Sequence, residues 1–206
     1  MIKLQNFSGR FVSYNNGDKI SKRFRRIDDT IKVDELVVAI NFNDKSKEYE
    51  GLVYYGMIFL PPLFKEEIGN FTINKKLHTH PVPNDYTKIP NGPQVTWFNV
   101  YTKFRGKEIA ARVYEGLIAR FGALYSDYQQ TEGGTNVWIK LAKRNNVNIY
   151  MVDWCKKTFQ IKRLRKYTHK NQNDAKDLWF NDTDARLLLA TPKKVLLEEF
   201  DDVQQA

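Results

Sequence analysis

The architecture of this chain follows from two adjoining runs of residues, Val95-Thr96-Trp97-Phe98-Asn99-Val100-Tyr101 and Thr102-Lys103-Phe104-Arg105-Gly106-Lys107-Glu108-Ile109-Ala110. The first run is almost continuously apolar and rich in strand-forming residues, which predicts a strand covered on both faces of a sheet. The second run carries three cations and a glycine directly before a segment with helical periodicity. Free amides at a helix start attract phosphate, so this junction predicts a site for an anionic ligand.

The pattern continues downstream as helix, strand, helix and strand. Apolar residues spaced three and four apart predict a first helix that ends near Gly122. Ala123-Leu124-Tyr125-Ser126 predicts a short strand, and a polar turn and a second helix follow it. Residues 148–154 predict a closing strand. We therefore predict an α/β fold with a mixed, mostly antiparallel central sheet, a βαβαβ core over residues 95–154 and flanking helices.

The order of elements and the first turn resemble the GNAT superfamily of acyl-CoA-dependent N-acyltransferases, including divergent members encoded by bacteriophages. The family signature is Arg or Gln, two residues, Gly, one residue, then Gly or Ala, and Arg105, Glu108 and Ala110 occupy these places. In the family this turn wraps the pyrophosphate of coenzyme A. The resemblance implies that acetyl-CoA is bound by Lys103, Phe104, Arg105, Gly106, Lys107, Glu108, Ile109, Ala110 and Asn136.

The chain departs from the family pattern at two positions. Glu108 stands where the family has glycine, and a carboxylate beside a pyrophosphate repels it unless nearby cations offset the charge. Asn136 opens the matching second helix, and Lys143, seven residues on, replaces a tyrosine that often protonates the departing thiolate. Lysine is a poor proton donor at neutral pH because its ordinary pKa is about 10.4.

The resemblance leaves the catalytic residues to be chosen among several candidates. Tyr150, Tyr125 and Tyr128 are alternative proton donors to the thiolate. Asp127 and Glu132 are acids that would accept the proton of the attacking amine, directly or through water. A backbone amide near residues 99–101 would polarise the thioester carbonyl. The expected acceptor is an amine-bearing small molecule, or a lysine or N-terminus of a protein.

The regions flanking the core are assigned from local patterns. Residues 10–60 predict early strands, with 35–42 and 51–60 as a hairpin beside the strand at 95–101. Residues 61–94 are punctuated by proline and predict a loop insertion. Residues 155–190 predict a basic hairpin, and residues 195–206 an acidic tail that folds back on the basic patches or contacts a neighbour.

Composition indicates a single domain with anionic partners. The 206 residues are 42% hydrophobic and carry a formal charge of +9. The single cysteine excludes an internal disulfide and is consistent with a location in the cytoplasm. If a phage encodes the chain, we expect it in the host cytoplasm or in the virion. We expect no metal and no membrane association. Two other functions stay open: a catalytically inactive GNAT-like structural or virion-associated protein, and a nucleic-acid-binding module using the basic patches at 19–26 and 156–170.

Overall fold

A computed structural model describes residues 29–43, 53–60, 66–74, 89–127, 131–155, 161–167 and 184–201. In these ranges ten strands form one sheet, and two helices pack against it. The strands are β1 Asp29–Val33, β2 Leu36–Asn43, β3 Val53–Leu60, β4 Glu66–Asn74, β5 Gln94–Val100, β6 Leu124–Tyr125, β7 Val147–Cys155, β8 Ile161–Lys166, β9 Asp184–Pro192 and β10 Phe200–Asp201. The helices are α1 Ile109–Phe121 and α2 Glu132–Ala142, and a 3₁₀ turn covers Thr102–Phe104.

The sheet is mixed and mostly antiparallel, as predicted. Its strand order is β1-β2-β3-β4-β5-β6-β9-β7-β8-β10. Among the described strands β5 and β6 form the one parallel pair, and every other pairing is antiparallel. The part of the predicted early strands over residues 10–28 lies outside the described residues.

The loop predicted for residues 61–94 is wrong where β4 runs. β4 pairs with β3 on one edge and with β5 on the other, so it also separates the early hairpin from β5. The sequence pattern did not indicate a strand here because β4 contains a bulge at Ile68, opposite the step from Ile58 to Phe59. The bulge interrupts the alternation of buried and exposed residues along β4. Its buried Phe71 and Ile73 follow the regular period of two.

Both helices begin and end for local reasons. α1 ends at Gly122, as predicted, because this residue adopts a positive φ of 81° and its amide donates to the carbonyl of Ile118. α2 begins earlier than Asn136, because Thr131 is its N-cap and accepts a hydrogen bond from the amide of Gly134. Asn136 therefore lies within α2, where it is exposed, and the prediction that it opens the helix is wrong.

The C-terminal strands are not the hairpin predicted for residues 155–190. β8 pairs with β7 and β10, whereas β9 lies between β6 and β7. The reason is burial, because successive β9 residues from Leu187 to Ala190 are all buried and require cover on both faces of the sheet. β8 buries only Ile161 and Leu164 among its residues, which suits a strand nearer the edge.

The two faces of the sheet carry separate apolar clusters. The larger cluster joins α1 and α2 to residues from β1 through β7 and to Leu188 and Ala190 of β9. On the other face, Tyr125, Tyr150, Leu187 and Leu189 belong to a second cluster that is partly covered by Leu197, Phe200 and Ile89. Residues that alternate along β7 and β9 thus face different surroundings.

Candidate functional site

The strands β5 and β6 part almost as soon as they meet. Gln94 lies opposite Tyr125, and the amide of Tyr125 donates to the carbonyl of Pro93 at 2.8 Å. The side-chain amide of Gln94 then donates to the carbonyl of Ser126 at 3.1 Å, and both residues are buried. No later residue pairs β5 with β6 in the described ranges. We call the region beyond this pair, toward the carboxyl ends of the two strands and the start of α1, the opening.

A bulge in β5 lies next to this parting point. Thr72 is opposite Trp97 but Ile73 is opposite Val95, which leaves Thr96 as the extra residue. Trp97 is 52% exposed, so the prediction that this strand is covered on both faces is wrong there. Phe98, the next residue, packs against the main core, so Trp97 points to the opposite face of the sheet.

The backbone of β5 presents amide groups to the opening. The amide of Tyr101 donates to the carbonyl of Ile68 on β4 at 2.9 Å. Hydrogen-bonding direction alternates along a strand, so the amides of Phe98 and Val100 point to the other edge. Among residues 99–101, which were predicted to hold a carbonyl-polarising amide, the geometry therefore selects Val100 and rules out Tyr101.

The basic turn after β5 is anchored at one aromatic residue. Phe104 is buried in the main core, and the ammonium groups of Lys103 and Lys107 lie 4.7 and 5.9 Å from the centre of its ring. Lys103 also pairs with Glu66 of β4. The Nε of Arg105 donates to the carbonyl of Val100 at 2.9 Å, which holds this guanidinium at the edge of β5 that faces the opening.

Exposed cations and free amides come together at the start of α1. In the described part of the chain no salt bridge joins Arg105 or Lys107 to a carboxylate. Gly106 adopts a positive φ of 84°, which glycine permits at little cost. The first amide bonded within α1 is that of Arg112, which donates to the carbonyl of Glu108 at 3.1 Å. The amides of residues 109–111 precede it and have no partner within the helix.

Glu108 turns toward α2. Its carboxylate accepts a hydrogen bond from Arg144 Nη2 at 2.7 Å, and the ammonium of Lys140 lies 3.9 Å away. The other nitrogen of the same guanidinium, Nη1, donates to buried Glu115 at 2.8 Å. The acid that departs from the family signature is therefore paired with cations in and just after α2.

Three aromatic rings form a row between β5 and α2. Tyr114 of α1 packs edge-on against Phe98 and against Trp138, with ring centres 5.1 and 5.4 Å apart. Burial, and then the nearby charge of Asp127, raise the pKa of Tyr114 above its ordinary value. The indole Nε1 of Trp138 is buried without a hydrogen-bond partner among the described residues, which is uncommon for a buried donor.

The predicted catalytic residues are dispersed. Asp127 is half-buried, two residues beyond the last pairing of β5 with β6, and so borders the opening. Glu132 is exposed in the first turn of α2, where an acid favours the helix dipole. Tyr150 is buried in the cluster on the other face, and its hydroxyl accepts a hydrogen bond from the amide of Leu197 at 3.0 Å. Tyr128 lies outside the described residues.

The hydroxyl of Tyr125 is also engaged in a hydrogen bond within the fold. Its hydroxyl donates to the carbonyl of Pro90 at 2.8 Å, and burial raises the pKa of this phenol above its ordinary value. Lys143, the residue at the place of the family's tyrosine, is exposed just after α2. The structure thus brings Asp127 to the opening and leaves the other named residues away from it or engaged elsewhere.

Sequence reasoning missed several residues that shape the opening. Gln94 was not singled out because its role depends on Ser126, which is distant in sequence. Tyr114 was assigned only to an apolar helix face. Arg144 was not considered, although a cation shortly after a helix is a common partner for the last carbonyls and for nearby acids. For Arg144 the local signal existed, whereas Gln94 had none.

The second basic region has a different environment. Within the patch at 156–170 the structure describes residues 161–167, and β10 pairs with β8 so that Phe200 lies opposite Leu164. Glu199 accepts a hydrogen bond from the backbone amide of Lys166 at 3.1 Å. β10 thus places residues 200–201 of the acidic tail beside the described part of this patch. The patch at 19–26 lies outside the described residues.

Comparisons with protein-family models, curated proteins and solved structures found no match to this chain. Within the described ranges, no helix has the length and apolar character needed to cross a membrane. The same ranges contain no cluster of three or more His, Cys, Asp or Glu side chains suited to a metal ion.

Proposed function

We propose that this chain is a GNAT-like protein that binds acetyl-CoA and transfers the acetyl group to an amine. The observation that carries the proposal is the single described parallel pair, β5 and β6, which is paired at Gln94 and Tyr125 alone and has the basic start of α1 after the carboxyl end of β5. A sheet that parts in this way leaves backbone hydrogen-bonding groups available to an extended ligand. The resemblance at Arg105, Glu108 and Ala110 supports the same proposal.

The pyrophosphate is assigned to the basic turn. Arg105 and Lys107 supply charge, and the amides of residues 109–111 supply hydrogen-bond donors at the positive end of the helix dipole. Gly106 leaves room above the turn, because apart from its two chain neighbours no atom of the described residues lies within 4 Å of the place a Cβ would occupy. The pantetheine arm then extends along the edge of β5 that faces the opening.

The acyl transfer uses groups along this edge. An amide of β5, at Phe98 or Val100, donates to the carbonyl oxygen on which negative charge develops. Asp127 accepts a proton from the ammonium form of the acceptor, and the free amine attacks the carbonyl carbon. The new C–N bond replaces the C–S bond, the attacking nitrogen releases its second proton to solvent, and the departing thiolate takes one proton from solvent. Tyr150 is not assigned a role because its hydroxyl is engaged on the other face.

A catalytically inactive GNAT-like binding protein is the second candidate. One observation favours it: among the described residues, none of the proposed tyrosine donors is placed at the opening with an uncommitted hydroxyl. Acetyl-CoA binding without turnover, across a set of small amines and basic peptides, would identify this second function. The nucleic-acid hypothesis has less support, since β10 occupies an edge of the basic strand β8 and places the acid Glu199 against the backbone of Lys166.

Calorimetric titration with acetyl-CoA tests the proposal. We expect micromolar binding by the unmodified chain, and an affinity at least about tenfold lower for Arg105→Ala/Lys107→Ala, because two charge-assisted contacts to pyrophosphate are lost. The matched control is Lys162→Ala/Arg165→Ala, which removes the same net charge from exposed positions of β8. That control should bind within about twofold of the unmodified chain, since distant exposed charges are screened.

Two results would contradict the proposal. The first is the absence of any heat of binding or thermal stabilisation of the unmodified chain at millimolar acetyl-CoA. The second is an equal loss of affinity in the turn variant and in the β8 control, which would show that only net charge matters.

A further inference from the structure

We infer that Arg144 is a positioning residue for the acyl-CoA turn. By holding the carboxylate of Glu108, it allows the turn to accept a pyrophosphate although position 108 is an acid. This assignment rests on the proposed function, because it concerns how the same turn accepts a pyrophosphate. It identifies a residue that the family signature does not contain. It also supplies a physical reason why this chain can carry Glu108 where the signature has glycine.

The geometry that carries the inference is a bridge between two acids. The guanidinium of Arg144 donates from Nη2 to Glu108 at 2.7 Å and from Nη1 to Glu115 at 2.8 Å. Glu115 is almost completely buried in α1, whereas Glu108 is about half exposed at the helix start. Arg144 therefore draws the exposed acid toward an anchored one and away from the turn. The amide of Arg144 itself donates to the carbonyl of Leu141 at 3.0 Å, which ties the residue to the end of α2.

The second step concerns charge. Glu108 adopts a positive φ of 55° and lies directly before the free amides of α1, so an unpaired carboxylate there would compete with an incoming anion. The charge of Arg144, with Lys140 at 3.9 Å as a more distant cation, offsets that of Glu108. Since Glu108 and Lys140 are both partly exposed, screening by water makes Lys140 the weaker contributor.

The third step concerns the side chain at position 144. A guanidinium can serve two carboxylates at once through different nitrogens in one plane, whereas an ammonium is a compact point charge. Lysine at this position would keep the charge but could not reproduce both contacts at the observed lengths. Arg144→Lys should therefore show an intermediate phenotype.

Calorimetric titration of four variants with acetyl-CoA tests the assignment. Arg144→Ala should lower the affinity about fivefold, as expected for loss of a partly exposed charge interaction. Arg144→Ala/Glu108→Gln should restore the affinity to within about twofold, because the repelling carboxylate is gone. Arg144→Ala/Glu115→Gln should recover thermal stability without recovering affinity, because it removes only the unpaired buried acid. Arg144→Lys should fall between the unmodified chain and Arg144→Ala.

A second ligand separates this role from a purely structural one. S-acetylpantetheine lacks the pyrophosphate, so its binding should be equal in the unmodified chain and in Arg144→Ala. Unchanged acetyl-CoA affinity in Arg144→Ala, or rescue by Glu115→Gln and not by Glu108→Gln, would overturn the assignment while leaving the proposed function intact. If the unmodified chain does not bind acetyl-CoA at all, the proposed function fails, and this assignment fails with it.

Discussion

Two strand junctions in the same sheet differ sharply. β9 pairs with β7 along the whole of β7, from Val147 to Cys155. β5 pairs with β6 only where Gln94 lies opposite Tyr125, and the hydrogen bond from the side chain of Gln94 to Ser126 replaces the next step of the ladder. The first junction closes the sheet, and the second opens it.

The difference teaches that burial, more than strand propensity, decides where a sheet stays closed. Both β5 and β9 are rich in strand-forming residues, but β9 buries consecutive residues on both faces whereas Trp97 of β5 is mainly exposed. Removing apolar surface from water stabilises the closed junction at about 25 cal/mol per Å². At the open junction two buried polar groups, Gln94 and the carbonyl of Ser126, satisfy each other and end the pairing.

The largest expected loss of stability is at the closed junction between β7 and β9. Leu188→Ala in β9 should lower the free energy of unfolding by about 3 kcal/mol, because it leaves a cavity in a fully packed core. Urea denaturation measures this loss. Leu196→Ala is the control, since Leu196 is 71% exposed and its removal should change stability by no more than about 0.5 kcal/mol. Similar losses for the two variants would contradict the view that β9 is the closed centre of the sheet.

A smaller effect is expected at the open junction. Gln94→Leu should lower the free energy of unfolding by about 1–2 kcal/mol, because the buried carbonyl of Ser126 loses its donor. Thr96→Val is the matched control in the same strand, as its hydroxyl makes a longer, partly buried bond of 3.3 Å to the carbonyl of Thr72. If the control loses as much stability in urea as Gln94→Leu, the side chain of Gln94 has no special part in the parting of β5 and β6.

The smallest effect appears at alkaline pH. Burial raises the folded-state pKa of Tyr125 above the ordinary value of 10.0. The contribution of the neutral phenol to the stability of the folded state is therefore complete at pH values below 10.0. As pH rises above the ordinary value, the unfolded state ionises first and stability falls. Between about pH 9 and about pH 10.5 the unmodified chain should lose about 1 kcal/mol more than Tyr125→Phe. Equal slopes in urea titrations at these pH values would show that Tyr125 is not protected by burial.

Parts of this molecule with short-range signals were predictable. The periodicity of α1, the stop at Gly122 and the strand at Leu124–Tyr125 could be inferred from neighbouring residues, because helix caps and amphipathic faces are local properties. The basic turn was predicted for the same reason. β4 was not, since its bulge obscures the alternation and the surrounding prolines indicate a loop.

Long-range features could not be inferred from the sequence. The position of β9 between β6 and β7 depends on pairing between segments far apart in the chain. The environment of Glu108 depends on Arg144, which reaches it across the space between two helices. A local pattern identified the acid as a departure from the GNAT signature but contained no information about its partner.

The amino-acid sequence was sufficient to predict the fold class, the mixed sheet and the position of a cationic turn before α1. Hydrophobic periodicity and charge can be read from neighbouring residues without knowledge of the tertiary structure. Tertiary packing determined which strands part, which β5 amides face the opening and which acids are neutralised. Those outcomes depend on hydrogen bonds and ion pairs between residues distant in the chain, such as Gln94 with Ser126 and Glu108 with Arg144. Such pairs form only when the whole sheet and both helices are in place, because neither partner alone specifies the other.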